Sequence, residues 1–173
     1  MRHAHFQLFG AVRFGGSMTI ERAWDMGFDH ITLAMGAGLP KAMNIPHSMA
    51  PGMRQANDFL MALQLTGAAK ADSLSLLQVR LPALVIGGGL TAVDTATELQ
   101  AYYIKQVEKV YHLYHTILKK MPVEQMKTHF DPVNWEILQE QVTHGAQVIA
   151  RRAQQSQPQW DDLLTAWGGV AIV

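Results

Sequence analysis

The sequence predicts an α/β fold: a small, mainly parallel sheet with a helical hairpin inserted in one of its crossovers. Three observations predict it. The apolar run Ala83 to Ile86 shows no alternation, as in a strand covered on both faces of a parallel sheet. It breaks into Gly87-Gly88-Gly89, from which a long stretch of helical periodicity sets out. A final apolar run, Val170 to Val173, supplies the strand to which that crossover returns. An ordinary strand–helix–strand unit needs about thirty residues. Here the crossover is expanded by two further helical patterns, and the whole reads as a Rossmann-like partial sheet.

The elements follow in chain order. Gln7 to Phe14 reads as a short strand ended by Gly15 and Gly16. Ser17 or Thr19 is placed to cap a helix through Glu21 to Met26, with Gly27 as its stop. His30 to Met35 is β-rich and mostly apolar and reads as a buried strand, broken by Gly36-Ala37-Gly38-Leu39-Pro40. Lys41 to Gly52, with Pro46 and Pro51, reads as a crossing segment. A helix is expected within Gly52 to Leu65, with Met53, Ala56, Phe59, Leu60 and Leu63 on one face. Thr66 to Ser75 reads as a loop.

Beyond the glycine triplet, Ala92, Ala96, Leu99, Tyr103, Val107, Val110, Tyr114 and Ile117 recur at steps of three or four. That predicts one helix of about seven to eight turns. Met121 to Pro132 is a break. Trp135, Leu138, Val142, Ala146, Ile149 and Ala153 mark a second amphipathic helix. Asp161 to Trp167 is a short third, stopped by Gly168 and Gly169.

Composition narrows the function. Among 173 residues, 14 basic and 14 acidic side chains cancel, so there is no electrostatic footprint for nucleic acid or an anionic membrane. The chain has no cysteine, which excludes disulfides, iron–sulfur ligation and a redox dithiol, and fits a cytoplasmic setting. Met1 to His5 lacks the apolar run of a secretory signal. Leu81 to Val93 is too short and too glycine-rich to span a bilayer. The methionines, ten in number, are expected as core gap-fillers.

The chemistry-bearing motif is the glycine loop. Gly87, Gly89 and Ala92 fit the G-x-G-x-x-G/A spacing. Gly87 allows the tight turn, Gly89 lets a pyrophosphate approach the backbone, and Ala92 lets helix and strand pack closely. The helix N-terminus would then present free N–H groups to phosphates. The plainer alternative is a glycine turn that binds nothing. Other constellations carry less. His112 and His115 sit three apart on the long helix, and His129 and His144 could approach from the hairpin, but H-E-x-x-H is absent and no metal site is expected. Asp94 is expected to complement the helix dipole. Glu108 is read as a solvated residue of the long helix, and Arg151 and Arg152 as a solvated helix end. No nucleophile elbow or Walker loop is present, and no residue stands out as an acid, base or nucleophile.

Two motifs in order carry a resemblance. Phe28-Asp29-His30-Ile31-Thr32-Leu33-Ala34-Met35-Gly36-Ala37 is similar to the "YDxxxLATGA" segment of two-dinucleotide flavoproteins, and Ile45-Pro46, Pro51-Gly52-Met53 and Asn57-Asp58-Phe59-Leu60 to the link after it. Val85 to Asp94 is similar to "VIGGGNTAMD", which opens their NAD(P)H domain. Together these resemble the glutamate synthase small-subunit group of FAD-dependent pyridine nucleotide oxidoreductases, over about Gly10 to Leu99. Met35, His47 and Leu90 depart from the family pattern.

The resemblance implies an internal fragment of a flavoenzyme that passes electrons from NADH or NADPH to FAD, inactive alone. Residues 1–46 would be a remnant of the FAD-binding domain, and 47–79 a connecting helix and loop. Residues 80–173 would be a partial NAD(P)H-binding domain with a helical insertion at 100–166. Gly87, Gly88, Gly89, Leu90, Thr91 and Ala92 would hold the dinucleotide pyrophosphate, and Gly36 and Ala37 would lie near the flavin. No FAD fingerprint of the chain's own is visible, so it is expected to hold no FAD by itself. Half a sheet with an open edge implies a homodimer. The competing reading is a non-catalytic helical docking module with a vestigial nucleotide loop.

Overall fold

The computed structural model describes residues 5–36 and 44–173, which fall into two compact units, 1–40 and 41–173. The first holds one short helix, α1 (Ile20–Asp25), started by Thr19, whose hydroxyl accepts from the Arg22 N–H. Its remaining described residues are turns and extended chain, exposed apart from Ala23 and a few half-buried positions.

The second unit contains α2 (Ala56–Thr66), β1 (Ala83–Val85), α3 (Leu90–Leu118), α4 (Val123–Lys127), α5 (Pro132–Gln154), α6 (Asp161–Ala166) and β2 (Val170–Ile172). The expected α/β class with a Rossmann-like partial sheet is therefore corrected. Helix accounts for 49% of the structure and strand for 5%. Among the described residues the sheet consists of β1 and β2 alone, three residues each, paired in parallel with Ala83 opposite Val170.

The reasons are local. His30 to Met35 finds no ladder partner among the described residues and lies open, with Leu33 53% and Met35 71% exposed. Gln7 to Phe14 forms no strand; a single bridge joins Phe14 to Met18. β1 is covered on one face only. Val85 is buried, whereas Leu84 and Ile86 are 60% and 45% exposed, so the apolar run did not mean cover on both sides.

The core lies instead around α3. Phe59 and Leu63 of α2 reach Tyr102, with the Phe59 and Tyr102 rings edge to face at 6.2 Å. Tyr103, Val107 and Val148 of α5 are sealed from solvent, and Leu164 of α6 closes the cluster. α3 also holds the irregular chain before β1. Tyr102 Oη accepts from the Leu77 N–H at 2.7 Å, and the Gln106 amide bonds both to the Val79 N–H (2.9 Å) and to its carbonyl (2.8 Å). Lys109 Nζ donates to the Ser75 and Lys70 carbonyls at 2.9 and 3.2 Å. Residues 102, 106 and 109 stand one helical turn apart, so a single face of α3 fixes residues 70–79 and delivers the chain into β1.

Candidate functional site

The loop 87–89 joins β1 to α3. Gly87 donates its N–H to Val173 O at 2.6 Å, which ties the loop to the end of the sheet. Its φ of +125° suits glycine and strains any other residue. Gly89 is the N-cap of α3; no side chain caps this 29-residue helix. Ala92 and Val93 donate to Gly89 O. The N–H groups of Gly88, Gly89, Leu90 and Thr91 donate to no described residue. These are the orphan donors at the positive end of the helix dipole. Nothing lies within 4 Å of a Cβ built on Gly87, Gly88 or Gly89, so the loop opens outward. Ala92 is buried with Val85 and Ala96, with Val170 packed against them, so strand and helix meet through small side chains.

Leu90 is 85% exposed beside this opening. Thr91 gives its carbonyl to the Thr95 hydroxyl at 2.6 Å. Asp94 is the fifth residue of α3, beyond the first turn, so its effect on the dipole is smaller than the sequence reading gave it. Gly36 is in the other unit, with φ of +71° and open space around it. Ala37 lies outside the described residues.

Glu108, Arg151, Arg152 and His115 have partners. Glu108, read from sequence as solvated, takes an ion pair from Arg152 at 2.7 Å, and the Arg152 guanidinium lies 5.0 Å from the Trp160 ring centre. Arg151 binds Asp162 in a two-pronged pair that holds the Asp162 carboxyl down to about 2. Neither arginine is a free phosphate ligand. The His115 ring lies 4.3 Å from that of Tyr111. No group of three or more candidate metal ligands occurs among the described residues.

His144 stands in a polar–aromatic cluster that the sequence did not announce. Its Nδ1 lies 2.8 Å from Tyr103 Oη, and its ring stacks on Trp167 at 4.3 Å. Trp167 Nε1 donates to Gln147 Oε1 at 3.0 Å. Burial raises the Tyr103 pKa, so the phenol keeps its proton. Burial also lowers the His144 pKa below its ordinary 6.5, against the pull of Glu140. The folded chain therefore binds fewer protons here than the unfolded chain. The stability this pair contributes is complete above the unfolded pKa and is lost as pH falls through it towards the folded value. The urea midpoint should fall as the pH drops below the ordinary histidine value of 6.5. In His144→Gln that part of the profile should flatten; an unchanged profile contradicts the assignment.

No family model and no solved structure matches this chain. It is similar to uncharacterized protein RP006 of Rickettsia prowazekii (strain Madrid E), with 45% identity over 108 residues. The matched segment is 62% of this chain and 15% of that protein, so the chain spans a small part of the curated relative's length. No helix among the described residues is long and apolar enough to cross a membrane.

Proposed function

We propose that this chain supplies the nicotinamide-nucleotide loop of a flavin-dependent oxidoreductase, in which NADH or NADPH passes electrons to FAD. One observation carries the reading: four backbone N–H groups, Gly88 to Thr91, stand free at the uncapped start of a long helix, on a loop whose glycines leave open space. That arrangement suits a pyrophosphate, whose oxygens accept from backbone N–H groups and favour the positive helix end. Gly89 keeps the approach clear, and Ala92 on Val85 holds the helix start against the strand. The likeness of Val85 to Asp94 to the family motif supports the same assignment. The hydride chemistry belongs to the nicotinamide and the flavin; the chain's own residues bind and orient.

Gly89→Val places a branched side chain in the path of the pyrophosphate. In the flavoenzyme that contains this segment, it should raise KM for the nicotinamide cofactor at least about tenfold, about 1.4 kcal/mol of lost binding, with FAD content unchanged. The competing reading, a docking module, draws on Leu113 and Ile117 of α3, 49% and 43% exposed. It requires KM to stay where it was, so steady-state kinetics with flavin content measured alongside separates the two.

A further inference from the structure

Tyr103, His144 and Trp167 come from α3, α5 and the end of α6, and Trp167 stands three residues before the strand that ties down the glycine loop. Tyr103 is 0% exposed, and its hydroxyl has one hydrogen-bond partner among the described residues, His144 Nδ1 at 2.8 Å. The phenol has no other acceptor there for its proton, so it donates and Nδ1 must be bare. The imidazole stacks on Trp167 with 16° between the ring planes, and Tyr103 meets both rings edge to face at 6.0 and 5.8 Å.

A second proton on the imidazole breaks this arrangement. Nδ1 becomes a donor that faces a donor. If the phenol turns to accept, its own O–H is stranded in the core, with neither water nor an acceptor from the described residues. A buried donor left unpaired costs more than a partly exposed indole face returns to a cation. Burial of His144 opposes the charge as well. The neighbouring charges do not offset this. Glu140, one turn earlier on α5, favours the imidazolium, but Arg80 from the chain before β1 engages its carboxylate at 2.5 Å. Glu136 acts on Arg80, Tyr103 keeps its proton, and Trp167 brings no charge from the α6 end.

Gly168 and Gly169 join Trp167 to β2. A Cβ on Gly168 would lie 2.9 Å from Pro82 Cβ, so this turn rests against the residue that precedes β1. Gly169 O accepts from the Ala83 N–H at 3.0 Å, the Val173 N–H donates to Val85 O at 3.0 Å, and Val173 O accepts from the Gly87 N–H at 2.6 Å. β2 is only three residues long, and Ala171, Ile172 and Val173 are exposed. Its inward hold is Val170, packed on Val85, Ala92 and Ala96. The ring stack thus anchors one end of a weakly held strand whose other end holds the loop.

We propose that the Tyr103–His144–Trp167 cluster is a proton switch on the glycine loop: a second proton on His144 frees Trp167, loosens β2 and releases Gly87 from Val173. Its effect on a bound nucleotide rests on the function proposed above; the opening itself does not. The test is backbone amide hydrogen exchange of the full chain, corrected for intrinsic rates, as the pH is lowered from above the ordinary histidine value of 6.5. Ala83, Gly87 and Val173 should lose at least about tenfold more protection than Val110, in the buried line of α3. In His144→Gln the amide oxygen accepts from Tyr103 and takes no proton, so this extra loss should vanish. Tyr103→Phe keeps the ring and strands no donor, and should remove it as well. The switch is overturned if the three amides keep pace with Val110 in the native chain, or if either folded variant loses their protection as the native chain does. Titration of the same samples with inorganic pyrophosphate separates the two readings. Amides that open with acid in a chain that binds no pyrophosphate support the switch and remove only its nucleotide.

Discussion

Gly145→Ala is expected to destabilise the chain by about 3 kcal/mol, although it replaces glycine by the best helix former in the middle of a 23-residue helix. On an isolated helix the exchange is worth about 1 kcal/mol in the opposite direction. The sign reverses because α5 crosses α3 at this point. A Cβ on Gly145 would lie 2.3 Å from Val107 O and 2.6 Å from Tyr111 Cβ. Neither atom is the end of a flexible side chain, so one helix must move off the other. That movement disturbs the sealed pair Val107 and Val148. A fall in melting temperature of about 6–12 °C follows for a chain of this length. Gly145→Leu should prevent the hairpin from closing. A Gly145→Ala chain with equal or higher stability contradicts the close crossing.

Gln106→Leu is expected to cost about 3 kcal/mol for the loss of one amide. Gln106 is wholly buried, and it acts towards Val79 as a neighbouring strand would, giving an acceptor to the N–H and a donor to the carbonyl. Leucine fills the space and leaves the buried Val79 N–H without a partner. The Val79 carbonyl keeps the Gln141 bond. For the same reason Gln141→Leu should cost only about 1 kcal/mol, since Val79 then retains both bonds to Gln106. Chemical denaturation of the two variants checks the ranking, and equal losses would show that Val79 is not held in this way.

These two residues also explain what the sequence could and could not disclose. The 3.6-residue rhythm of Ala92, Ala96, Tyr103, Val107 and Val110 marked the buried line of α3 and its length. It missed Gln106, because a polar residue beside an apolar stripe looks solvated until the segment that it bonds is known. On α5 the apolar stripe Trp135, Leu138, Val142, Ala146, Ile149 and Ala153 is not the line of closest burial. The residues sealed there are Gln141, Gly145 and Val148, and Ala146 and Ala153 face solvent. A glycine that permits a close crossing and a glutamine that bonds a backbone carry no hydrophobic signal, so the apparent stripe was rotated by about one residue.

The strands misled for the converse reason. His30 to Met35 has the composition of a buried strand, but a strand exists only through the partners that it pairs with, and those lie at a distance in sequence. The apolar runs at 83–86 and 170–173 do pair, but only with each other, which leaves the chain helical in character. The glycine loop was legible because turn, helix start and small packing residue are neighbours in sequence, whereas the Tyr103–His144–Trp167 cluster draws its members from three separate elements and was not.

The proposed function requires the loop to be a place where backbone N–H groups meet phosphate. The most direct measurement is a map of backbone amide shifts by nuclear magnetic resonance, as the full chain is titrated with NADPH and, separately, with inorganic pyrophosphate to millimolar concentration. The predicted result is that both ligands move the amides of Gly88, Gly89, Leu90 and Thr91 more than any others, and that Gly89→Val removes the effect. If those four amides stay still while ligand is present in excess, or if the shifts centre on another part of the chain, the loop is only a turn and the proposed function falls with it.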